Sequence, residues 1–422
     1  MLTDTEQRVL AAIDQDQLIA TLQELIAQPS LGGSYAEYAV QEVAAAHMRA
    51  QGLPVTMSEL DLAALYAHPA FPGYEVERRA ARHVQATLAG TGNGRSLIFN
   101  GHLDVVPVGD ASAWRADPWS GVVADGRVYG RGSCDMKGGV ACIIHAAGAI
   151  ARSGVQLHGS LAVQTVIGEE DGGLGAFAAA LHGPRADGAM IAEPTRLQPV
   201  LAQAGALTFR LRVTGRAAHG AQRTEGVSAI DAYLPLHHAL HALEQERNRA
   251  IAHPLMRPLT MPYPISVGLL QAGDWASTVP ETLVAEGRYG VMVGENVGTA
   301  RAVLEGAIAR AAANDDWLRD HPPALEWWGG QFESAELAGD HPLVQTLDRS
   351  MADLGRAVTP EGVAYGSDMR LLQHVGGTPT LLFGPGDVRI AHQRDEYIPI
   401  ADLVAATRAF ALTALRFCGY SA

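Results

Sequence analysis

Four short apolar runs in this chain each lead into a histidine or a carboxylate, and that repetition constrains the fold more than any other feature. "SLIFNGH" ends at His102, "LAVQTVIGEE" at Glu169 and Glu170, "GAMIAE" at Glu193, and "TPTLLFGPG" opens the loop that holds His392. Short apolar runs bounded by Gly, Asn and Pro read as buried strands. The longer run from Lys137 to Arg152 reads as a helix, so strands and helices alternate as in an α/β domain. In an open α/β sheet, ligands bind beyond the carboxyl ends of the strands. Four separate segments would therefore aim acids or imidazoles at one crevice.

The pattern changes near Ala204. Leu207, Phe209, Leu211 and Val213 alternate with Thr208, Arg210 and Arg212, the period of a half-exposed strand. A helix from Val227 to about Arg249, strands around 265–270 and 282–291, and a helix from about Asn296 to Ala312 complete an α+β domain inserted into the first. After Glu326-Trp327-Trp328 the α/β pattern resumes with a helix from His341 to Leu354. The expected division is residues 1–203, 204–328 and 329–422, and 422 residues suit two domains. Residues 5–52 read as two helices that stop at Gly52-Leu53-Pro54.

A formal charge of −14 argues against nucleic acid, whose phosphates need a basic face. No apolar run reads as long enough to cross a bilayer, so no membrane partner is expected. The first residues lack the basic-then-apolar order of a secretory signal, and three scattered cysteines make no disulfide framework, which together predict a cytoplasmic protein.

Histidines and carboxylates converging on one crevice repel one another and lose solvation unless a cation neutralises them. Mixed imidazole and carboxylate donors suit Zn²⁺ or another borderline divalent ion better than Ca²⁺ or Mg²⁺. Other readings stay open residue by residue. Asp135, in a glycine-rich loop, serves equally well as the N-cap of the following helix. Glu169-Glu170-Asp171 also fits a solvated corner. His237 and His241 have the one-turn spacing of a zinc pair but no Glu-x-x-His context, and read as helix-face residues. Cys134 has no basic neighbour and reads as packing.

The motifs "GHLDVVP", "RADPWSG", "DGRVYGRGSCDMKGG", "GEEDGGLGA", "IAEPT", "GRAAHG" and "FGPGDVRIAHQRDEY", taken in order over residues 97–400, resemble those of the co-catalytic zinc amidohydrolase family that includes acetylornithine deacetylase, succinyl-diaminopimelate desuccinylase, aminoacylase and glutamate carboxypeptidase. The resemblance implies a zinc-peptidase-like α/β catalytic domain with a mixed sheet flanked by helices, and an inserted ferredoxin-like α+β domain acting as lid and dimerisation module. It implies two Zn²⁺ per chain, with Co²⁺ or Mn²⁺ as substitutes. His102 and Glu193 would hold one, Glu170 and His392 the other, and Asp135 would bridge them, followed by a cis peptide bond to Met136. Asp104 would orient His102, and Glu169 would be the general base.

From the inserted domain, the resemblance implies that His219 reaches a partner's site in a homodimer to stabilise the oxyanion. Arg288, Ser277 and Gly366 would contact substrate. One departure stands out: where many members carry Asn before "VVP", this chain reads Trp275-Ala276-Ser277-Thr278-Val279-Pro280, which points to a different acyl group. The expected activity is removal of an acetyl, succinyl or formyl group from a small amino-acid-like amide. Alternatives are a metallo-carboxypeptidase or dipeptidase, an N-formyl-aminopyrimidine deformylase, or an inactive metal-binding homologue. A nicotinamide oxidoreductase would need a Gly-x-Gly-x-x-Gly turn that the chain lacks.

Overall fold

The apolar runs become strands and the alanine-rich runs become helices in a computed structural model that describes residues 1–421. The chain divides into two units, Met1–Leu201 with Glu336–Glu361 and Ser367–Ala422, and Ala202–Ala335 with Gly362–Gly366. The expected boundary at 328 falls within strand Ala324–Phe332, whose antiparallel pairing with Gly205–Thr214 carries the second unit on to 335.

In the first unit, strands Leu161–Val166, Leu97–His102, Gly188–Ile191 and Thr380–Leu382 lie side by side and parallel. Antiparallel strands Arg82–Leu88 and Val55–Glu59 continue the sheet beyond Leu161–Val166. All four parallel strands are buried along their whole length, which is why they read as continuous apolar runs rather than as alternation. Helix Gly138–Arg152 packs on this sheet and against helix Ile400–Cys418, whose Phe410 meets Phe99 and Phe383 edge to face.

Two expectations need correction. The N-terminal region forms three helices, Asp4–Ala11, Gln15–Ile26 and Tyr35–Ala50, because Asp14 accepts the N–H groups of Asp16 and Gln17 and starts a new helix. Segment Ser133–Arg152 does have the length and apolarity of a membrane span, but it belongs to the core, with 89% of that window buried inside the protein.

The second unit runs strand, helix, strand, strand, helix, strand. Its sheet order is Ile265–Ala272, Thr282–Val291, Gly205–Thr214, Ala324–Phe332, all antiparallel, the ferredoxin-like arrangement. Leu207, Phe209, Leu211 and Val213 join Leu283, Ala285, Tyr289 and the inner faces of helices Ala229–Arg249 and Val297–Ala313 in one core. Strand Ile265–Ala272 is an edge of this sheet.

Candidate metal centre

Parallel strands present their carboxyl ends along one edge, and the expected residues stand there. His102 closes its strand. Glu169 and Glu170 follow Leu161–Val166, Glu193 follows Gly188–Ile191, and His392 lies in the loop after Thr380–Leu382 at a positive φ of 62°. His102 Nε2 is 3.1 Å from Asp135 Oδ1. His392 Nε2 is 3.2 Å from Glu170 Oε1 and 3.5 Å from Asp135 Oδ2. Asp135 thus turns one oxygen to each imidazole. Ligand atoms of His102, Asp135 and Glu170 all lie within 4.8 Å of one another.

Local structure settles two open readings. The helix after Asp135 begins at Gly138 and has no side-chain cap, so Asp135 is not an N-cap. Glu169 and Asp171 are buried and Glu170 nearly so, which rules out a solvated corner. The Asp135–Met136 peptide bond is cis. Gly139, in the first turn of the helix, lies so close to the strand-end loop that a Cβ there would fall 2.0 Å from the Ala192 carbonyl oxygen, next to Glu193.

Asp104 does more than was expected of it. His102 Nδ1 is 3.0 Å from the Asp104 backbone carbonyl and 3.6 Å from its carboxylate, so the main chain is what fixes the imidazole's tautomer. The fully buried carboxylate instead accepts the backbone N–H groups of Glu169 at 3.3 Å and Glu170 at 3.0 Å. It ties the strand carrying His102 to the loop carrying both glutamates.

Sequence reasoning missed the supports of these loops. Buried Glu396 accepts the N–H groups of Cys134 at 2.9 Å and Asp135 at 3.1 Å through Oε1, and pairs through Oε2 with Arg131. Behind the two glutamates, Arg78 is clasped between Glu37 and Asp171 at 2.8 and 2.7 Å, with the three side chains almost wholly buried. Arg370 donates to the Gly172 carbonyl at 2.8 Å. Arg131 and Asp171 lie within the glycine-rich motifs themselves, whereas Arg78 and Glu396 sit in charged runs that give no signal of burial.

Electrostatics follow from burial and crowding. Burial lifts the Glu169 pKa well above the carboxylate range, and the charges of Asp368, Glu193 and Glu170 add to it. Glu193 is raised by burial and then by Asp135. Burial works against Asp135, yet the hydrogen-bonded His102 imidazole holds it low. The Glu170 hydrogen bond raises His392 to about 9. A cluster in which Glu169 and Glu193 are pushed up while His392 is pulled towards the cation is one that a divalent ion would relieve. Burial also raises the Cys134 thiol well above its ordinary value, in keeping with a packing role.

Four expected residues belong to the second unit. His219 is exposed and caps the turn Gly220–Glu225, its Nδ1 accepting the Ala221 N–H at 3.1 Å. It bridges Thr278, and Gly220 donates to the Ser277 carbonyl at 2.6 Å, so His219 and Ser277 stand on adjoining loops. Trp275 beside them is 72% exposed. Arg288 donates to the Ala364 carbonyl at 2.7 Å, and burial draws its pKa down. Gly366 packs against Phe332, whose Cβ would lie 2.7 Å from an added methyl.

The sequence model of a family described as Peptidase family M20/M25/M40 matches residues 98–416. An acetylornithine deacetylase of Myxococcus xanthus is 31% identical over 347 residues, covering 79% of this chain and 83% of its own. An N-formyl-4-amino-5-aminomethyl-2-methylpyrimidine deformylase of Bacillus subtilis is 28% identical over 344 residues, covering 74% and 77%. The solved structure of the di-peptidase Dug1p from Saccharomyces cerevisiae superposes with a TM-score of 0.77 at 13% identity, covering 98% of each chain, a likeness of fold.

Proposed function

The chain belongs to peptidase family M20/M25/M40, a metal-dependent hydrolase family, and from that premise we propose that it removes a small acyl group from the nitrogen of an amino-acid-like amide. The observation that carries this reading is the meeting of His102, Asp135 and Glu170 within 4.8 Å, with the buried carboxylate Glu169 beside them. Both relatives are named for taking a small acyl group from their substrates.

The donor set fits a borderline divalent ion, because imidazole nitrogens and carboxylate oxygens together match Zn²⁺. We assign His102, Glu193 and Asp135 to one zinc and Glu170, His392 and Asp135 to a second, with Co²⁺ or Mn²⁺ as substitutes. When bound, the ions supply Lewis acidity to the amide carbonyl and to the attacking water. Glu169 accepts the water's proton and returns it to the leaving nitrogen. Asp104 and Glu396 hold the loops on which this geometry depends.

We further propose a homodimer through the second unit, in which His219 of one copy donates to the oxyanion in the other. Support comes from the exposed position of His219 and from edge strand Ile265–Ala272, which leaves Leu269 and Leu270 outward. Ser277, Trp275, Arg288 and Gly366 are assigned to substrate contact. Three buried, unpaired cysteines suit a cytoplasmic setting.

A specific observation favours a second substrate. A hydroxyl at Ser277 beside exposed Trp275 differs from the family's amide, and a formylated aminopyrimidine is the natural alternative. The test is amine release by zinc-loaded protein from N-acetyl, N-formyl and N-succinyl amino acids, the formyl-aminopyrimidine and dipeptides. Acyl substrates should turn over faster than dipeptides, and the activity should vanish with chelator and return with Zn²⁺ or Co²⁺. Hydrolysis of dipeptides alone would make the protein a peptidase, and no turnover with metal bound would make it an inactive homologue.

A further inference from the structure

His237 and His241 of helix Ala229–Arg249 do more than line its face. Their Nε2 atoms point at each other across 3.2 Å, with the rings nearly perpendicular at 89°. Both Nδ1 atoms turn away. That of His237 lies 3.3 Å from the Tyr233 hydroxyl, and that of His241 lies on the side of Glu244, 3.9 Å from its Oε2. Neither anchor is loose: Tyr233 is buried in the core of the unit, and Glu244 accepts the Ile265 N–H at 2.7 Å through its other oxygen.

This is the arrangement by which proteins prepare imidazole ligands. A group facing Nδ1 sets the ring's orientation and leaves the Nε2 lone pair outward. Two nitrogens bound to one tetrahedral zinc at about 2.0–2.1 Å stand about 3.3–3.4 Å apart. The observed separation needs only about 0.1–0.2 Å of adjustment to meet that bite. Burial also lowers the His237 pKa, and the neighbouring His241 and His238 add to the effect, which favours the neutral, ligating form.

We propose that His237 and His241 form a peripheral site for a borderline divalent cation, Cu²⁺, Ni²⁺ or Zn²⁺, held by two imidazole nitrogens with water in the remaining positions. Among the described residues no carboxylate is paired with either Nε2 atom, which sets the site apart from the acid-rich centre and makes it a poor one for Ca²⁺ or Mg²⁺. With two protein ligands it binds more weakly than the centre and exchanges freely. Cu²⁺ binds it most tightly, following the order of divalent affinities.

The test uses the whole chain with its centre first loaded with zinc and free metal removed. Equilibrium dialysis against Cu²⁺ should find a further ion per chain, and the untagged protein should be retained on immobilised Cu²⁺. His241→Ala, which removes a half-exposed side chain, should weaken that binding by about tenfold or more while leaving amide hydrolysis and helical circular dichroism unchanged. His238→Ala, the adjacent histidine outside the pair, should behave as wild type. Equal copper uptake and retention by wild type and His241→Ala would overturn the proposal, as would loss of the site in His238→Ala.

Discussion

Between pH 6.5 and pH 4 a single buried side chain, His145, is expected to take about 3 kcal/mol from the stability of the first unit. His145 sits within helix Gly138–Arg152, 1% exposed, with Nε2 2.8 Å from the Thr21 hydroxyl and Nδ1 meeting no hydrogen-bond partner among the described residues. Burial pushes its pKa down to about 4, and the charges of Arg152 and His47 add to the shift. Unfolded, the same imidazole titrates near 6.5. Below that pH the unfolded chain takes up a proton that the folded one refuses. The stabilisation is therefore complete above about 6.5 and lost as pH falls towards 4; 2.5 units at about 1.4 kcal/mol each set a ceiling of about 3.5 kcal/mol, of which about 3 is lost by pH 4, where the folded imidazole is itself half protonated. His145→Gln keeps a polar group towards Thr21 and cannot titrate. Urea unfolding of both proteins at pH 7.5 and 4.5 isolates the effect, because acid-driven metal loss is common to both and cancels in the difference. The variant should gain roughly 2–3 kcal/mol on the wild type between the two pH values. A difference that does not change with pH would refute the reasoning.

Glu169→Gln should keep its metal while losing roughly 10² or more in kcat, and Glu170→Gln should lose metal; metal analysis showing the reverse would exchange their roles. Arg78→Met leaves Glu37 and Asp171 buried without their cation and should cost about 3–5 kcal/mol, lowering the melting temperature, with partial recovery when Glu37→Gln and Asp171→Asn are added. An unchanged melting temperature would show that the clasp holds nothing. Mixing inactive His219→Ala and Glu169→Ala proteins under subunit exchange should restore roughly a quarter of wild-type sites, since random pairing gives half heterodimers with one intact site each. No recovery in demonstrated heterodimers would remove His219 from a neighbour's site.

The elements that position the centre were legible because fully buried parallel strands leave a plain signature. Leu97–His102 and Leu161–Val166 lie in largely apolar runs, and the polar residues Asp104, Glu169 and Glu170 follow within a few positions of their ends. The ferredoxin-like unit was legible through the alternation of Leu207 to Val213. Helix Ile400–Cys418 went unread, although it is buried on much of its circumference in the same way as helix Gly138–Arg152, which was read. The break between the first two helices went unread because a three-residue interruption with its own cap hardly disturbs the periodicity. Asp104 was identified as the group orienting His102, but a sequence cannot tell a carbonyl from a carboxylate of the same residue. Arg78, Glu37 and Asp171 escaped because their partners lie far apart in the chain: 41 residues separate Arg78 from Glu37 and 93 separate it from Asp171.

The hold of Glu396 on the loop of Asp135 spans 261 residues of chain. At a synthesis rate of about 5–20 residues per second, roughly 13–50 s pass between the two leaving the ribosome. All of strands Gly205–Thr214 to Ala324–Phe332 emerges in that interval, with a core drawn from their own segment. The nascent protein therefore carries a bridging aspartate with no anchor while the later unit is already able to condense. Metal capture becomes a late event in the life of each molecule, gated by the last tenth or so of the chain. A chain ending before Gly384 should accordingly fold strands Gly205 to Phe332, as read by protease resistance, and retain no zinc at Asp135; retention at full stoichiometry would show that the centre closes without its C-terminal wall.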